Sequence, residues 1–127
     1  MLVRLAAYGT LMTGQRNLLP TAVRRRMRSL GACGIPGRLF RVPGDFAYPA
    51  LVCAPGRSTR GELFVIPAGD LKAIDAYDDC RPAAPEASMY VRRLLPVQTE
   101  GGMIRAWVYV WNRPVHGLVP IPGNRWV

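Results

Sequence analysis

The acidic residues of this chain are concentrated in one short segment. Four of its eight aspartates and glutamates are Asp70, Asp75, Asp78 and Asp79, although the formal net charge of the chain is +9. A carboxyl group whose pKa is tuned by its surroundings can act as a general acid and base. An acidic helix face that offsets neighbouring arginines would give the same cluster, so the cluster alone leaves both interpretations open.

The other residue types that commonly do chemistry are scarce. His116 is the single histidine, and Cys33, Cys53 and Cys80 lack the C-x-x-C spacing that zinc sites often use, so we predict no metal. Three cysteines cannot all pair within one chain, and unpaired thiols in a reducing compartment are expected. A Cys–His nucleophile has no supporting local signature. Without a Walker A or G-x-G-x-x-G motif, the sequence also predicts no nucleotide cofactor.

Arginine dominates the charge of the chain. There are 17 basic residues, and Lys72 is the only lysine among them. A cationic face would favour nucleic-acid binding, because it releases counterions from phosphates. The arginines are densest at positions 24–28 but spread along the whole chain, without a helix-turn-helix, zinc-finger or base-stacking motif. A solvated surface is therefore favoured, and no specific nucleic-acid partner is expected.

The length of 127 residues predicts one domain over residues 1–127. Apolar residues make up 50% of the chain, which is typical of a globular protein. No apolar run approaches the roughly 18 residues that span a bilayer, and the first residues do not resemble a signal peptide. We therefore predict a soluble cytoplasmic protein without a membrane segment; the sequence does not indicate its oligomeric state.

Short apolar segments bounded by Gly and Pro predict β-strands. A turn signal at Glu100-Gly101-Gly102 joins the last two of them into a hairpin. We predict a turn around Pro36 over Gly31–Gly37, a short helix after Pro20 and an irregular tail over Arg113–Val127. The predicted strands are Leu2–Tyr8, Arg38–Val42, Tyr48–Ala54, Arg60–Ile66, Tyr90–Thr99 and Met103–Asn112.

The main helix is predicted over Ala68–Asp79. Leu71 and Ile74 recur at helical spacing and give one inward-facing stripe, which Asp78 extends by a further turn. One helix cannot cover both faces of an open sheet, so a closed sheet is the economical arrangement. The fold class is therefore α+β: a small, mixed but mostly antiparallel β-barrel of six or seven strands, with one main helix packed on it.

A series of short motifs resembles the gamma-glutamylcyclotransferase-like family. Each motif alone is weak, but together and in this order they cover almost the whole chain. They are Tyr8-Gly9-Thr10-Leu11, Gly37-Arg38-Leu39-Phe40, Tyr48-Pro49-Ala50-Leu51, Gly61-Glu62-Leu63-Phe64, Ile74-Asp75-Ala76-Tyr77-Asp78, Tyr90-Val91-Arg92, Ala106-Trp107-Val108-Tyr109-Val110 and the tail Ile121-Pro122-Gly123-Asn124-Arg125-Trp126.

The resemblance implies an enzyme that converts a γ-glutamyl amine or peptide to 5-oxoproline and a free amine. The α-amine of the substrate attacks its own γ-carbonyl, so no enzyme nucleophile is needed. The loop Tyr8, Gly9, Thr10 and Leu11 is implied to bind the substrate through backbone N–H groups, because Gly9 lets a ligand come close. The resemblance thus implies a small-molecule γ-glutamyl substrate and no cofactor.

The implied catalytic residue departs from the family pattern. The family has a Glu as general acid and base where this chain has Asp78, and a displacement of about 1 Å can cost about 100-fold in rate. Three outcomes stay open: Asp78 reaches the substrate, Asp79 or Glu86 replaces it, or the chain binds a γ-glutamyl-type ligand without turnover. Adjacent carboxylates at 78 and 79 would raise each other's pKa. Asp75 is expected to be structural, bonded to backbone or to Arg92.

Aromatic residues complete the candidate site. Tyr48 and Tyr90 fall within the motifs and are candidate pocket-lining residues, with core packing as the alternative. Tyr109 lies between Trp107 and Trp111 at a spacing of two, so the three share one strand face, where packing is the expected role.

Overall fold

The structure, a computed structural model, describes residues 1–44 and 46–126. It contains a short helix α1, a main helix α2, and single 3-10 turns at Ala68–Asp70, Pro85–Ala87 and Pro122–Asn124. In chain order the elements are β1 (Leu2–Ala7), α1 (Thr21–Arg26), β2 (Arg28–Pro36), β3 (Arg38–Val42), β4 (Tyr48–Val52), β5 (Ser58–Pro67), α2 (Leu71–Tyr77), β6 (Tyr90–Thr99), β7 (Gly102–Trp111) and β8 (Val119–Pro120).

Five of the strands close into a barrel in the order β1-β5-β2-β6-β7. Neighbouring strands are antiparallel except at the closure, where β1 and β7 run parallel and Leu5 pairs with Trp107. The predicted α+β class with a mixed barrel and one main helix is therefore confirmed. The predicted number of six or seven barrel strands was too high, because β3 pairs with β4 and β8 in a separate three-stranded sheet.

The segment Gly31–Gly37 is the largest correction to the sequence prediction. It is not a turn, because residues 31–36 belong to β2, which pairs with β5 along its whole length. The pairing register shifts between Ser29 and Gly31, and Gly31 has a φ of +103°. Glycine in a strand often marks such a bulge, and Pro36 is tolerated because it ends the strand.

The hairpin, the short helix and the tail follow the prediction closely. β6 and β7 pair from Tyr90↔Trp111 to Thr99↔Gly102, as the Gly101-Gly102 turn signal predicted. A short helix does follow Pro20. The predicted irregular tail contains the two residues of β8, and its last residue, Val127, lies outside the described residues.

Buried side chains form two clusters on opposite faces of the barrel sheet. One cluster includes Ala6, Leu63 and Val108 and continues to Leu39 and Leu51 of the second sheet. The other cluster uses the alternate residues of the same strands and is covered by both helices. Its members include Leu5, Phe64 and Ile66 of the barrel, Val23 of α1 and Ile74 of α2. Successive side chains of β1 and β5 therefore point alternately into the barrel and towards the helices that cover its outside.

Helix α2 begins after a 3-10 turn and ends earlier than predicted. Ile74 is fully buried, which confirms the inward-facing stripe. Asp70 does not cap the helix; its carboxylate instead pairs with both Nε and Nη2 of Arg26 at 2.7 and 2.8 Å, which ties the start of α2 to α1. At the other end, the backbone leaves the helix at Asp78, and Asp79 has a φ of +48°.

All three cysteines are unpaired in the structure, with Cys33 and Cys80 buried and Cys53 exposed. Within residues 1–44 and 46–126, no helix has the length and apolarity to cross a membrane.

Replacement of Gly61 by alanine is expected to strain the barrel. A Cβ atom there would lie 2.6 Å from the Ala7 carbonyl oxygen of β1 and 2.6 Å from Cδ1 of Ile35. Such overpacking typically costs about 1–3 kcal/mol, so Gly61→Ala should lower the free energy of unfolding by that amount. Gly69→Ala is the matched control, because no atom lies within 4 Å of its Cβ position. Urea unfolding of both variants measures the difference, and equal midpoints would contradict the packing described here.

Candidate active site

One cavity of about 490 Å³ brings together every site residue expected from the sequence. Its volume falls in the range of about 300–1,000 Å³ that is typical of small-molecule sites. It lies between the loop that follows β1, the start of β4, the end of α2 and the strands β6 and β7. The expected residues that line it are Tyr8, Gly9, Thr10, Leu11, Tyr48, Asp78 and Tyr90.

The loop that follows β1 carries unused backbone donors into the cavity lining. The pairing of β1 with β5 ends at Ala7↔Glu62. Among the described residues, no hydrogen bond uses the backbone N–H of Gly9, Thr10 or Leu11, while the Gly9 carbonyl accepts a turn hydrogen bond from Met12 at 3.1 Å. These N–H groups are therefore not consumed by sheet pairing, and their binding of a carboxylate or carbonyl oxygen stays a prediction.

Gly9 is required by the close approach of β4. A Cβ atom at this position would lie 2.3 Å from Cγ of Pro49. The requirement is steric, and it means that the loop and the start of β4 form one wall of the cavity in direct contact.

Side chains from three directions hold the same loop. Glu62 accepts hydrogen bonds from the backbone N–H and the hydroxyl of Thr13, at 2.7 and 2.6 Å. The Asn17 amide donates to the Thr10 carbonyl at 3.1 Å. The hydroxyls of Thr10 and Tyr77 are 2.7 Å apart, which joins the loop to the last residue of α2. The loop is thus fixed at its base, middle and helix contact.

Asp78 contributes a carboxyl group that titrates near neutral pH. Its backbone N–H donates to Ile74 at 3.0 Å and ends the helix, and the residue is half-buried in the cavity wall. Loss of hydration, followed by the negative charge of Asp75, raises the pKa of Asp78 to about 7. The sequence had attributed such an effect to Asp79, whereas the carboxylate that contributes is Asp75.

Asp75 is buried, and both of its carboxylate oxygens accept hydrogen bonds. Its two carboxylate oxygens accept from Nε and Nη2 of Arg92 at 2.8 and 3.1 Å, and the Tyr109 hydroxyl donates to the first oxygen at 2.7 Å. The Arg92 guanidinium also lies over the ring of Trp107, 4.6 Å from its centroid. The expected contact of Asp75 with Arg92 is confirmed, and its structural role stays a prediction.

The tyrosines of the site connect its walls. The Tyr8 hydroxyl donates to the Tyr109 carbonyl at 2.5 Å, and the Tyr90 hydroxyl donates to the Pro49 carbonyl at 2.5 Å. Burial raises the pKa of all three of Tyr8, Tyr90 and Tyr109, so these hydroxyls remain protonated donors. Tyr90 thus lines the pocket and also fixes the start of β4.

Sequence reasoning missed the place of Tyr109 in the site. It was assigned to packing between Trp107 and Trp111, but it lines the cavity and bonds Asp75. The A-x-x-Y-V motif contained this tyrosine and was the available signal. The sequence also gave no sign that Leu18 and Phe46 line the cavity, because each comes from a loop without a motif.

The two other candidate acids differ in position. Asp79 lines the cavity, but its carboxylate pairs with Nε of Arg81 at 3.0 Å. Glu86 is exposed in the 3-10 turn Pro85–Ala87 and does not line the cavity. Asp78 therefore has the environment that best suits a general acid and base.

Basic residues do not enter this cavity. Although the chain has 17 of them, none is among the described residues of the lining. The described lining therefore offers no arginine or lysine to an anionic group of a ligand. Likewise, no group of three or more His, Cys, Asp or Glu side chains suited to a metal ion occurs in the part of the chain that the structure describes.

Solved structures share this fold over nearly the whole chain. YkqA from Bacillus subtilis matches with a TM-score of 0.73 and 19% identity, over 99% of this chain and 40% of that one. An AIG2-like protein from Mus musculus matches with a TM-score of 0.70 and 22% identity, over 91% of this chain and 82% of that one. Protein ytfP from Escherichia coli matches with a TM-score of 0.63 and 28% identity, over 98% and 96%.

These likenesses show the fold, and the chain spans only about two fifths of the length of YkqA. No curated protein matches the chain significantly. A family model described as "Gamma-glutamyl cyclotransferase, AIG2-like" matches residues 5–127. That match covers every candidate site residue, the cavity and all but the first three residues of the barrel strands, so the chain belongs to the AIG2-like gamma-glutamyl cyclotransferase family.

Proposed function

We propose that this chain converts a γ-glutamyl amine or peptide to 5-oxoproline and free amine, with Asp78 as the general acid and base. The observation that carries the proposal is the pairing of two features in one cavity. Asp78 provides a carboxyl group whose pKa is raised to about 7, and the loop Gly9–Leu11 provides backbone donors without a protein partner among the described residues.

The proposed reaction is an intramolecular acyl transfer. Ionised Asp78 takes a proton from the substrate α-ammonium, and the free α-amine then attacks the γ-carbonyl carbon. A bond forms between the α-nitrogen and that carbon, and the bond to the leaving nitrogen breaks. The α-nitrogen loses two protons in all, and both pass to the departing amine, the first by way of Asp78, so that the amine leaves as an ammonium ion. No atom is gained or lost, so the reaction requires neither water nor cofactor, and the carboxyl group ends in its starting state.

Binding geometry would supply much of the rate. The γ-glutamyl chain must fold so that its own amine meets its own carbonyl, and holding reactants in this way is worth several orders of magnitude. Backbone N–H groups of Gly9, Thr10 and Leu11 would hold the α-carboxylate or the developing oxyanion. A rigid loop suits this task, and Glu62, Asn17 and Tyr77 fix its position.

A second candidate function is binding without turnover. It is favoured by one observation, namely that Asp78 stands where the family pattern has a Glu, so the carboxyl group is one methylene closer to the helix. The raised pKa of Asp78 favours turnover, whereas its shorter reach favours binding alone.

Substitutions at position 78 distinguish the roles. Asp78→Asn keeps the shape but removes the proton carrier, so release of 5-oxoproline from a panel of γ-glutamyl amines should fall by about 100-fold or more. Asp78→Glu extends the reach and should leave activity unchanged or raise it. Glu86→Gln is the matched control, because Glu86 is exposed outside the cavity.

Two results would redirect the assignment. Full activity in Asp78→Asn would move the proton transfer to Asp79, and Asp79→Asn would then lose activity. A wild-type chain without turnover, together with an active Asp78→Glu variant, would make the natural protein a binding protein.

The rate should follow the ionisation of Asp78. Only the ionised carboxylate can accept the ammonium proton, so kcat/KM should rise about tenfold from pH 5 to pH 6 and bend near pH 7, where Asp78 titrates. A steady-state profile between pH 5 and 7.5 measures this. A flat profile below pH 7 would exclude a base with this pKa.

Asp78 should also make the fold less stable as pH rises. Its pKa is about 7 in the folded chain and 3.8 in the unfolded chain, so the folded state retains a proton that the unfolded state loses. Stability therefore falls from about pH 4 to pH 7, by an amount of order 4 kcal/mol for such a difference in pKa. Asp78→Asn should remove this loss, so its advantage over wild type grows from near zero at pH 4 to a maximum above pH 7.

Urea unfolding at pH 4, 6 and 8 measures that advantage. Asp79→Asn is the control, because it removes only a surface pair with Arg81 worth about 1 kcal/mol or less. A difference between wild type and Asp78→Asn that stays constant with pH would contradict the raised pKa.

A further inference from the structure

Two large apolar side chains stand almost fully exposed at the rim of the cavity. Leu18 is 93% exposed and Phe46 is 85% exposed, and both line the same cavity. Leu18 comes from the loop before α1, and Phe46 comes from the loop between β3 and β4. A single exposed leucine is ordinary, but two large apolar residues that converge on one pocket from separate loops form a patch of the kind that binds ligands.

The exposure of Leu18 is enforced by its neighbours. Leu19 is buried in the core that the helices cover, and its backbone N–H donates to the Asn17 side chain at 3.2 Å. The Asn17 amide in turn donates to the Thr10 carbonyl at 3.1 Å. With both adjacent residues anchored to the protein, Leu18 is held outward at the rim.

Polarity changes from the inside of the cavity to its rim. Gly9 and Leu11 are buried and Asp78 is half-buried, so the groups that would meet the charged glutamyl part lie inside. Leu18 and Phe46 are the exposed residues of the described lining. Within the described lining, the charged residue besides Asp78 is Asp79, and its carboxylate pairs with Arg81. A leaving amine that extends outward from the γ-carbonyl would therefore meet apolar surface.

We propose that Leu18 and Phe46 form a subsite for the leaving group, and that the substrates are γ-glutamyl conjugates of uncharged, hydrophobic amines, with alkyl or arylalkyl chains. This inference rests on the proposed function for the glutamyl end of the substrate. It adds the chemistry of the other end, which the reaction at Asp78 does not specify.

A homologous series of substrates tests the subsite. The rates of 5-oxoproline release from γ-glutamyl methylamide, butylamide, hexylamide and benzylamide are compared as kcat/KM. Burial of each added methylene should raise kcat/KM by about threefold until the rim is filled. A matched γ-glutamyl amide whose hexyl chain ends in an ammonium should be at least tenfold poorer than the hexylamide. A flat series, or a preference for the ammonium, would overturn the proposal.

Variants assign the effect to the two side chains. Leu18→Ser and Phe46→Ser should each reduce kcat/KM for the hexylamide more than for the methylamide, and the double variant should flatten the series. Met103→Ser is the control, because Met103 is 58% exposed on β7 and does not line the cavity. An equal loss for short and long amides would assign the two residues to loop structure rather than to the leaving-group subsite.

A binding measurement separates this inference from the proposed function. The same amides are titrated calorimetrically into the Asp78→Asn variant, in which no turnover is expected. Affinity that rises with chain length supports the subsite even if the wild-type chain proves not to turn over any amide. Turnover by wild type without any dependence on chain length would leave the proposed function standing and refute the subsite.

Discussion

The buried contact between Asp75, Arg92 and Tyr109 is the constraint on which the site depends. It joins α2 to β6 and β7 through two guanidinium hydrogen bonds and one hydroxyl hydrogen bond. Removing one partner of a buried ion pair typically costs about 3–5 kcal/mol, which is a large share of the stability of a small domain. The position of α2 on the barrel is therefore strongly determined, and so is the point at which Asp78 enters the cavity wall.

The same contact acts on Asp78 through charge. Asp75 is held in place by Arg92, and its negative charge adds to the desolvation that raises the pKa of Asp78. No basic residue of the described lining offsets this rise, since a nearby guanidinium would favour the ionised carboxylate and lower its pKa. The arginines of this chain lie elsewhere, where Arg26 pairs with Asp70 and Arg41 lies over the ring of Trp126.

The sequence predicted those features that depend on local pattern. Alternation and a Gly-Gly turn were sufficient for the β6–β7 hairpin, and helical spacing was sufficient to bury Ile74. The strand β2 was not predictable in this way, because its glycines are explained by a bulge and by pairing with β5, which are long-range features. The predicted number of barrel strands was wrong for a similar reason, because local sequence pattern does not reveal that β3 pairs with β4 and β8.

The same distinction between local sequence pattern and tertiary contact applies to the residues of the site. Its loop and Asp78 lie in recognisable motifs, and the structure brings them to one cavity. The influence of Asp75 on Asp78, the hydroxyl bond from Tyr109 and the convergence of Leu18 and Phe46 all arise from tertiary contacts. Spacing pointed to Asp79 as the electrostatic neighbour of Asp78, but the helix ends between them, and Asp79 enters a left-handed conformation where it meets Arg81.

The length of the acidic side chain at position 78 affects both its reach towards the substrate and the pKa of its carboxyl group. A side chain shorter by one methylene keeps its carboxyl group nearer to the backbone, where burial and the negative charge of Asp75 favour the protonated form. The same shortening moves the oxygen away from a substrate held by the loop Gly9–Leu11, where small displacements are costly in rate. A longer acid at this position would gain reach, and burial and the charge of Asp75 would again act on its pKa. The distance between the loop and the end of α2, fixed by the contact of Thr10 with Tyr77, therefore determines which length of acid suits the substrate.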